Sequence, residues 1–181
     1  MVARLLEKYQ KEVAPAMSAK FGYSSPMAVP RVKKIVISMG IGNASEDQAK
    51  LEAATKQLTL ISGQKPVVTL AKKSISNFKL RVGMKSGLKV TLRGQRMYEF
   101  MDRLISLAIP RVKDFRGLNP SGFDGRGSYN MGLVEQTVFS EVDPSTVTFT
   151  QGMNIAMQTN ANTDEEAREL LSLMGMPFRK S

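Results

Sequence analysis

Cysteine and histidine are both absent from the sequence. Without cysteine there is neither a disulfide framework nor a thiolate metal site, and without histidine the commonest general base and the commonest zinc ligand are missing as well. Neither metal chemistry nor a cofactor is expected. No stretch approaches the ~20 apolar residues that span a bilayer, and the N-terminal MVARLLEKYQKEVA mixes charges into its apolar residues, so it offers no secretory core. The expectation is a cytoplasmic protein with no membrane contact. One further absence is local: between Ala53 and Tyr98 there is no aspartate or glutamate.

That acid-free stretch carries Lys56, Lys65, Lys72, Lys73, Lys79, Arg81, Lys85, Lys89, Arg93 and Arg96. These ten positive charges equal the whole net charge of +10, which leaves sixteen basic against sixteen acidic residues in the rest of the chain. A surplus confined to one quarter of a chain makes a fixed field aimed at an anionic partner, and nucleic acid is the first candidate. The alternative is a solvated basic surface with no partner, but like charges at this density repel and cost stability. At 181 residues, with 42% hydrophobic and 23% charged residues, the chain fits one folded domain over 1–181 and is too short for two comfortable ones.

Taken in order, Leu5, Leu6, Tyr9, Val13 and Met17 recur at helical spacing, which predicts a helix over 3–20 with Pro15 as a kink or early stop. RVKKIVISMG alternates Ile35, Ile37 and Met39 against Lys34, Val36 and Ser38, a strand signature. Ser45 with Gln48 reads as a helix start, with Glu46 and Asp47 in the first turn, a buried stripe of Leu51, Ala54, Leu58 and Ile61, and Gly63 at the end. PVVTL reads as a strand, AKKSISNFKLR as a loop and short strand, VGMKSG as a flexible basic tip, and LKVTLRG as a strand with Lys89, Thr91 and Arg93 opposite Leu88, Val90 and Leu92.

QRMYEFMDRLISLAIP then predicts a helix stopped by Pro110, buried through Met97, Phe100, Met101, Leu104, Ile105 and Ala108. RVKDFRGLNPSGFDGRGSYNMG follows as a long loop, too long to be idle. Short strands are expected around LVEQTVF and VTFTQGMNIAMQT, and Thr163 with Glu166 forms a capping box for EEARELLSLMG. This order suits an α+β fold: an antiparallel β-sheet with helices packed on one face, the opposite face and the loops being free to bind RNA.

Gly40-x-Gly42-x-x-Ser45 follows a strand and opens a helix, but serine replaces the third glycine and Ala71, Lys72 and Lys73 stand where a dinucleotide site needs an acidic ribose ligand. A tight strand-to-helix turn is the simpler account. Asp114, Asp124 and Glu135 could in principle be paired catalytic carboxylates, but nothing in their spacing places them together, and Asp114 and Asp124 fit better as ties to neighbouring Arg residues or turns. The free sheet face would instead carry Lys34, Ser38, Lys89, Thr91 and Arg93. No aromatic platform for single-strand stacking is found on these strands. Folded RNA gripped through phosphates and 2′-hydroxyls fits better, with Ser38, Gln64 and Thr91 hydrogen-bonding to sugars or base edges. The aromatics Phe115, Phe123 and Tyr129, interleaved with Arg111, Arg116 and Arg126, make the long loop a candidate protein-docking surface, the alternative being a loop packed on its own sheet.

The segments ISGQKPVVTLAKKSISNFKLRVGMKSGLKVTLRGQRMYEFMDRLI and IPRVKDFRGLNPSGFDGRGSYNMGLVEQTVF, with VPRVKKIVISMGIG before them and DEEARELL to PFRK after, resemble the bacterial form of the large-subunit ribosomal protein five family. GLKVTLRG, DFRGL and FDGRGSYN stand in that family's order and spacing over nearly the whole chain. The resemblance implies a structural, ribosome-associated, non-enzymatic protein whose sheet binds 5S rRNA in the central protuberance. Carried over by position, the contact would use Gln64 and Thr91, with Ser38 where relatives usually have Asn, and Lys34, Lys72, Lys73, Lys89 and Arg93 around them. It further implies a tRNA-proximal loop of Lys79, Arg81, Val82, Gly83, Met84 and Lys85 near the elbow of P-site tRNA, with Lys85-Ser86 replacing a more apolar pair. A contact with the small-subunit head through ribosomal protein thirteen is implied as well, for which the long loop with Arg111, Phe115, Arg116 and Arg126 is the expected surface, and 23S rRNA is a further expected partner. Ser128 replaces a usual Asn in the long loop.

Overall fold

A computed structural model of the chain describes residues 2–42, 48–147 and 149–179. Alternating apolar positions build the strands β1 (Val32–Gly40), β2 (Val67–Leu70), β3 (Lys85–Leu92), β4 (Tyr129–Leu133) and β5 (Met153–Thr159). They form one antiparallel sheet in the order β2-β3-β1-β5-β4. The helices are α1 (Arg4–Lys8), α2 (Ala14–Phe21), α3 (Gln48–Ser62), α4 (Gly94–Arg103) and α5 (Asp164–Met174). The architecture is therefore α+β, as the sequence predicts. The chain divides into two compact units, each discontinuous in sequence: unit one is Met1–Val36, Leu92–Met131 and Ile155–Ser181, and unit two is Ile37–Thr91 and Gly132–Asn154.

In unit one, α1 and α2 are joined by a π-helical turn, Tyr9–Val13, so the helical path runs from Arg4 to Phe21 and Pro15 does not stop it. A second π-helical turn, Leu104–Ala108, continues α4 into a 3₁₀ turn, Ile109–Arg111, which contains Pro110. Each wide turn ends two residues before a proline. The reason is steric: a helical proline offers no N–H and its ring collides with the carbonyl four residues back, and a local i→i+5 turn moves that carbonyl away. Pro15, predicted as a kink or early stop, does not end the helical path, whereas the path predicted to stop at Pro110 does end within one residue of it, at Arg111. Packing of α1 on α4 and of α2 on α5 buries Leu5, Val13, Met17, Met97, Phe100, Met101, Leu104, Leu170 and Leu171.

The α5 start is the predicted capping box: Glu166 N–H donates to Thr163 Oγ1 at 3.3 Å and Thr163 N–H donates back to Glu166 Oε2 at 3.4 Å. In unit two, α3 buries the predicted stripe of Leu51, Ala54, Leu58 and Ile61, and Gly63 ends it in the left-handed conformation. The predicted Ser45 cap with Glu46 and Asp47 lies outside the described residues. Gly87 is required where β3 crosses β1, because a Cβ there would collide with the Met39 carbonyl. The strand predicted around LVEQTVF is displaced: β4 is Tyr129–Leu133, and Gln136–Val138 form a 3₁₀ turn.

Candidate nucleic-acid interface

The period of two along β1 and β3 sorts their side chains. On β1, Ile35, Ile37 and Met39 are buried while Lys34, Val36 and Ser38 are half-buried; on β3, Leu88, Val90 and Leu92 are buried, Lys89 is exposed and Thr91 is half-buried. β2 pairs antiparallel with β3 through Val67↔Lys89, Val68↔Leu88 and Thr69↔Gly87. That register puts Val67, which is 69% exposed, directly across from Lys89. Gln64 follows the Gly63 turn and is half-buried, its backbone N–H donating to Ser62 Oγ at 3.3 Å. Within unit two the structure thus places Ser38, Gln64, Lys89 and Thr91 on strands or at a strand entrance, with Lys72 and Lys73 exposed just beyond β2. Lys34 and Arg93 stand in unit one. Arg93 has left the strand and is the exposed residue immediately before α4.

Of the ten cations in 53–98, nine are exposed and Lys85 is half-buried. Among the described residues, the ion pairs Arg4–Asp102, Lys11–Glu7 and Lys20–Glu169 all lie outside that stretch. The described acids of unit two have partners close to home: Glu52 with Gln48 Nε2 at 3.1 Å, Glu135 with Thr137 Oγ1 at 3.3 Å, Glu141 with Ser140 Oγ at 3.3 Å, and Asp143 with Ser145 N–H at 2.9 Å. Among the described residues, no carboxylate is paired with the cationic stretch. Unpaired solvated cations gain most by releasing the counterions of a phosphate backbone, whereas structural cations in a folded protein usually find carboxylates.

The connection between β2 and β3 differs from the predicted flexible tip. Ala71 N–H donates to the Met84 carbonyl at 2.8 Å and Gly83 N–H to the Ala71 carbonyl at 3.0 Å. Val82 N–H donates to Ser74 Oγ at 3.0 Å, and Ile75 and Leu80 exchange backbone bonds at 2.9 and 3.1 Å. The result is a hairpin extension closed by a 3₁₀ turn, Ser76–Phe78, with Lys79 in the left-handed region at φ 51°. Arg81, Val82, Gly83 and Met84 form its return leg, and Lys85 already belongs to β3. The apex carries Phe78, 72% exposed, between Ile75 at 44% and Val82 at 65%, with Lys79 and Arg81 beside them. No periodicity marks this phenylalanine, because a turn has no repeating pattern to break. It supplies the aromatic surface that the strands lack.

The long loop is held to unit one at several points. Leu118 N–H donates to the Pro177 carbonyl at 2.8 Å and Arg179 N–H to the Leu118 carbonyl at 3.0 Å. Phe123, Tyr129 and Phe178 form an aromatic cluster with centroid separations of 4.8, 5.9 and 5.3 Å. Tyr129 O–H donates to the Asn119 carbonyl at 3.0 Å, and burial pushes its phenol up. The Asp124 carboxylate accepts from the N–H groups of Arg126 and Ser128, which hold it below the ordinary carboxylate range. Phe123 and Tyr129 are therefore spent internally, while Arg111, Arg116 and Arg126 are exposed and Phe115 is half-buried. As for paired carboxylates, Asp124 is occupied by backbone amides, Glu135 by Thr137, and Asp114 is exposed at φ 53°.

Comparison with known proteins is consistent along the chain. The family pattern described as Ribosomal protein L5 matches residues 25–81, and that described as ribosomal L5P family C-terminus matches residues 85–178. Large ribosomal subunit protein uL5 of Alkaliphilus metalliredigens (strain QYMF) and its counterpart from Alkaliphilus oremlandii (strain OhILAs) are each 58% identical over 179 residues, covering 99% of this chain and 100% of the relative. The uL5 protein of Thermoanaerobacter sp. (strain X514) is 56% identical over the same coverage.

Proposed function

This chain belongs to the L5 family of large-subunit ribosomal proteins, and from that premise we propose that unit two grips 5S rRNA through the polar side of β1 and β3. Membership itself makes the protein a structural, non-enzymatic constituent of the large ribosomal subunit that binds rRNA there. The observation that supports the finer reading is the set of ten cations in 53–98 with no carboxylate partner among the described residues. Lys72, Lys73 and Lys89 engage phosphates, and Ser38, Gln64 and Thr91 read 2′-hydroxyls or base edges in the central protuberance. Lys34 and Arg93 contribute further phosphate contacts, to be tested separately because they belong to unit one.

The hairpin 71–84, together with Lys85, faces the elbow of P-site tRNA, and the internal hydrogen bonds that shape it lower the entropy cost of the contact. The exposed Arg111, Arg116 and Arg126 with Phe115 meet small-subunit ribosomal protein thirteen, and adjoining 23S rRNA takes part of the remaining charge. A single experiment tests the core of this reading. Photo-cross-linkers placed at positions 38, 64, 89 and 91 of the chain in assembled large subunits are expected to join to 5S rRNA. Cross-links from these positions that reach only 23S rRNA or protein would overturn it.

A further inference from the structure

Asp124-Gly125 is the one Asp-Gly step in the sequence. In a flexible peptide such a step is chemically weak. The Gly nitrogen attacks the Asp side-chain carbonyl carbon, a C–N bond forms, water leaves, and the resulting cyclic imide reopens with water at either carbonyl. Reopening at the main-chain carbonyl leaves the backbone running through the side chain as isoaspartate, with no other reagent consumed. Glycine accelerates the attack because it has no Cβ to obstruct it.

In the folded chain both reacting groups are held. Gly125 N–H donates to Asp164 Oδ2 at 3.0 Å, and Gly127 N–H donates to Asp164 Oδ1 at 2.9 Å. Asp124 Oδ1 accepts from Arg126 N–H and Ser128 N–H, each at 2.9 Å. Asp124 N–H in turn donates to the Ser128 carbonyl at 3.1 Å. Turning the Asp124 carboxylate onto the Gly125 nitrogen would break two charge-assisted bonds. The attacking nitrogen must also shed its proton beside the negative Asp164, which opposes that loss. A carboxylate kept ionised by two amides is, further, a poor centre for attack.

We propose that Asp124-Gly125 is a latent isoaspartate site that the fold keeps closed, with Asp164, 39 residues further along the chain, acting as its guard. The role accounts for a feature that docking leaves unexplained. Two carboxylates lie close to the backbone of Arg126, yet both are spent on amides of the Gly125–Ser128 turn. If the clamp opens, isomerisation inserts a methylene into the turn and changes the position of Arg126 permanently. The inference does not depend on which RNA the protein binds.

The test is prolonged incubation of the full-length chain at neutral pH, native and urea-unfolded, followed by peptide mapping that distinguishes aspartate from isoaspartate at position 124. The native chain is expected to isomerise about tenfold to a hundredfold more slowly than the unfolded one, the factor that one charge-assisted hydrogen bond provides. Asp164→Ala, folded by circular dichroism, is expected to isomerise faster than the folded parent yet stay slower than the unfolded chain, because the two bonds to Asp124 Oδ1 remain. Asp164→Asn, which keeps one acceptor oxygen, is expected to fall between the folded parent and the alanine variant and serves if the alanine variant fails to fold. Asp124→Glu should abolish the product in every background. Equal native and unfolded rates, or folded Asp164 variants as slow as the parent, would overturn the proposal.

Discussion

Gln136, wholly buried, donates its side-chain amide to the carbonyl of Phe149 at 2.7 Å. Its Oε1 accepts from Gln151 N–H at 2.6 Å, and its amide also reaches Gln57 Oε1 on α3 at 3.5 Å. One side chain thus ties the irregular connection between β4 and β5 back onto unit two. Replacing Gln136 with Leu keeps most of the volume but strands a backbone donor and a backbone acceptor in the interior. Each unsatisfied group costs about 1–3 kcal/mol, so urea unfolding should show a stability loss of roughly 2–6 kcal/mol. A loss within error of zero would mean that water reaches this site.

On the proposed RNA side, Lys89→Ala removes an exposed charge that supports no packing. It should leave the melting temperature unchanged and weaken 5S rRNA binding several-fold, with the salt slope reduced by about one. Arg93→Ala, in the other unit, is expected to act in the same direction. Thr91→Val removes a hydroxyl and should act on recognition while leaving the salt slope alone. Filter binding across a salt series separates these outcomes, and normal binding by all three variants would place the interface elsewhere.

Phe78 at the apex of the β2–β3 hairpin makes a second, independent prediction. Phe78→Ala should leave 5S rRNA binding intact and weaken retention of P-site tRNA by subunits carrying the variant, by about 1–3 kcal/mol if the ring stacks on a base. Equal tRNA retention by parent and variant subunits would show that the apex touches no nucleobase.

The Asp124 clamp also has a pH signature. Because hydrogen bonds from Arg126 and Ser128 N–H lower its folded-state pKa below 3.8, the unfolded chain binds a proton there first as pH falls. The stabilisation is present above pH 3.8 and is lost as pH drops through the lower folded value. Asp124→Asn lacks this component, so its stability should fall less steeply than the parent's in that acid range. Parallel acid-unfolding curves would show that the carboxylate makes no net contribution.

Much of the molecule was legible where the determinant is local. The alternation in Val32–Gly40, the stripe on α3 and the Thr163–Glu166 box each depend on residues within a few positions of one another. What could not be read depends on distant partners. The hairpin 71–84 has no periodicity, and its order comes from the Ala71–Met84 and Val82–Ser74 bonds. The long loop has the composition of a flexible segment, yet Phe178 and Asp164, far along the chain, fix it. LVEQTVF looks like a strand because Leu133, Val138 and Phe139 are apolar, but the buried hydrogen-bond demand of Gln136 favours a turn. Pro15 suggests an early stop only if a helix is held to a strict i→i+4 repeat, and the π-helical turn Tyr9–Val13 relaxes that condition. At the candidate site, charge and resemblance nominate the residues, whereas the lack of an ion-pair partner for the ten cations among the described residues is visible only in the fold.

The central claim is that the acid-free stretch 53–98 presents its cations to structured RNA, and the most direct test is the affinity of the purified chain for 5S rRNA as a function of salt. If roughly six to ten phosphates are engaged, affinity should drop about a thousandfold or more between 50 and 200 mM salt, and a variant with Lys72, Lys73 and Lys89 all changed to Ala should show a slope shallower by about three. A complex insensitive to salt, or an unchanged slope in the triple variant, would contradict it.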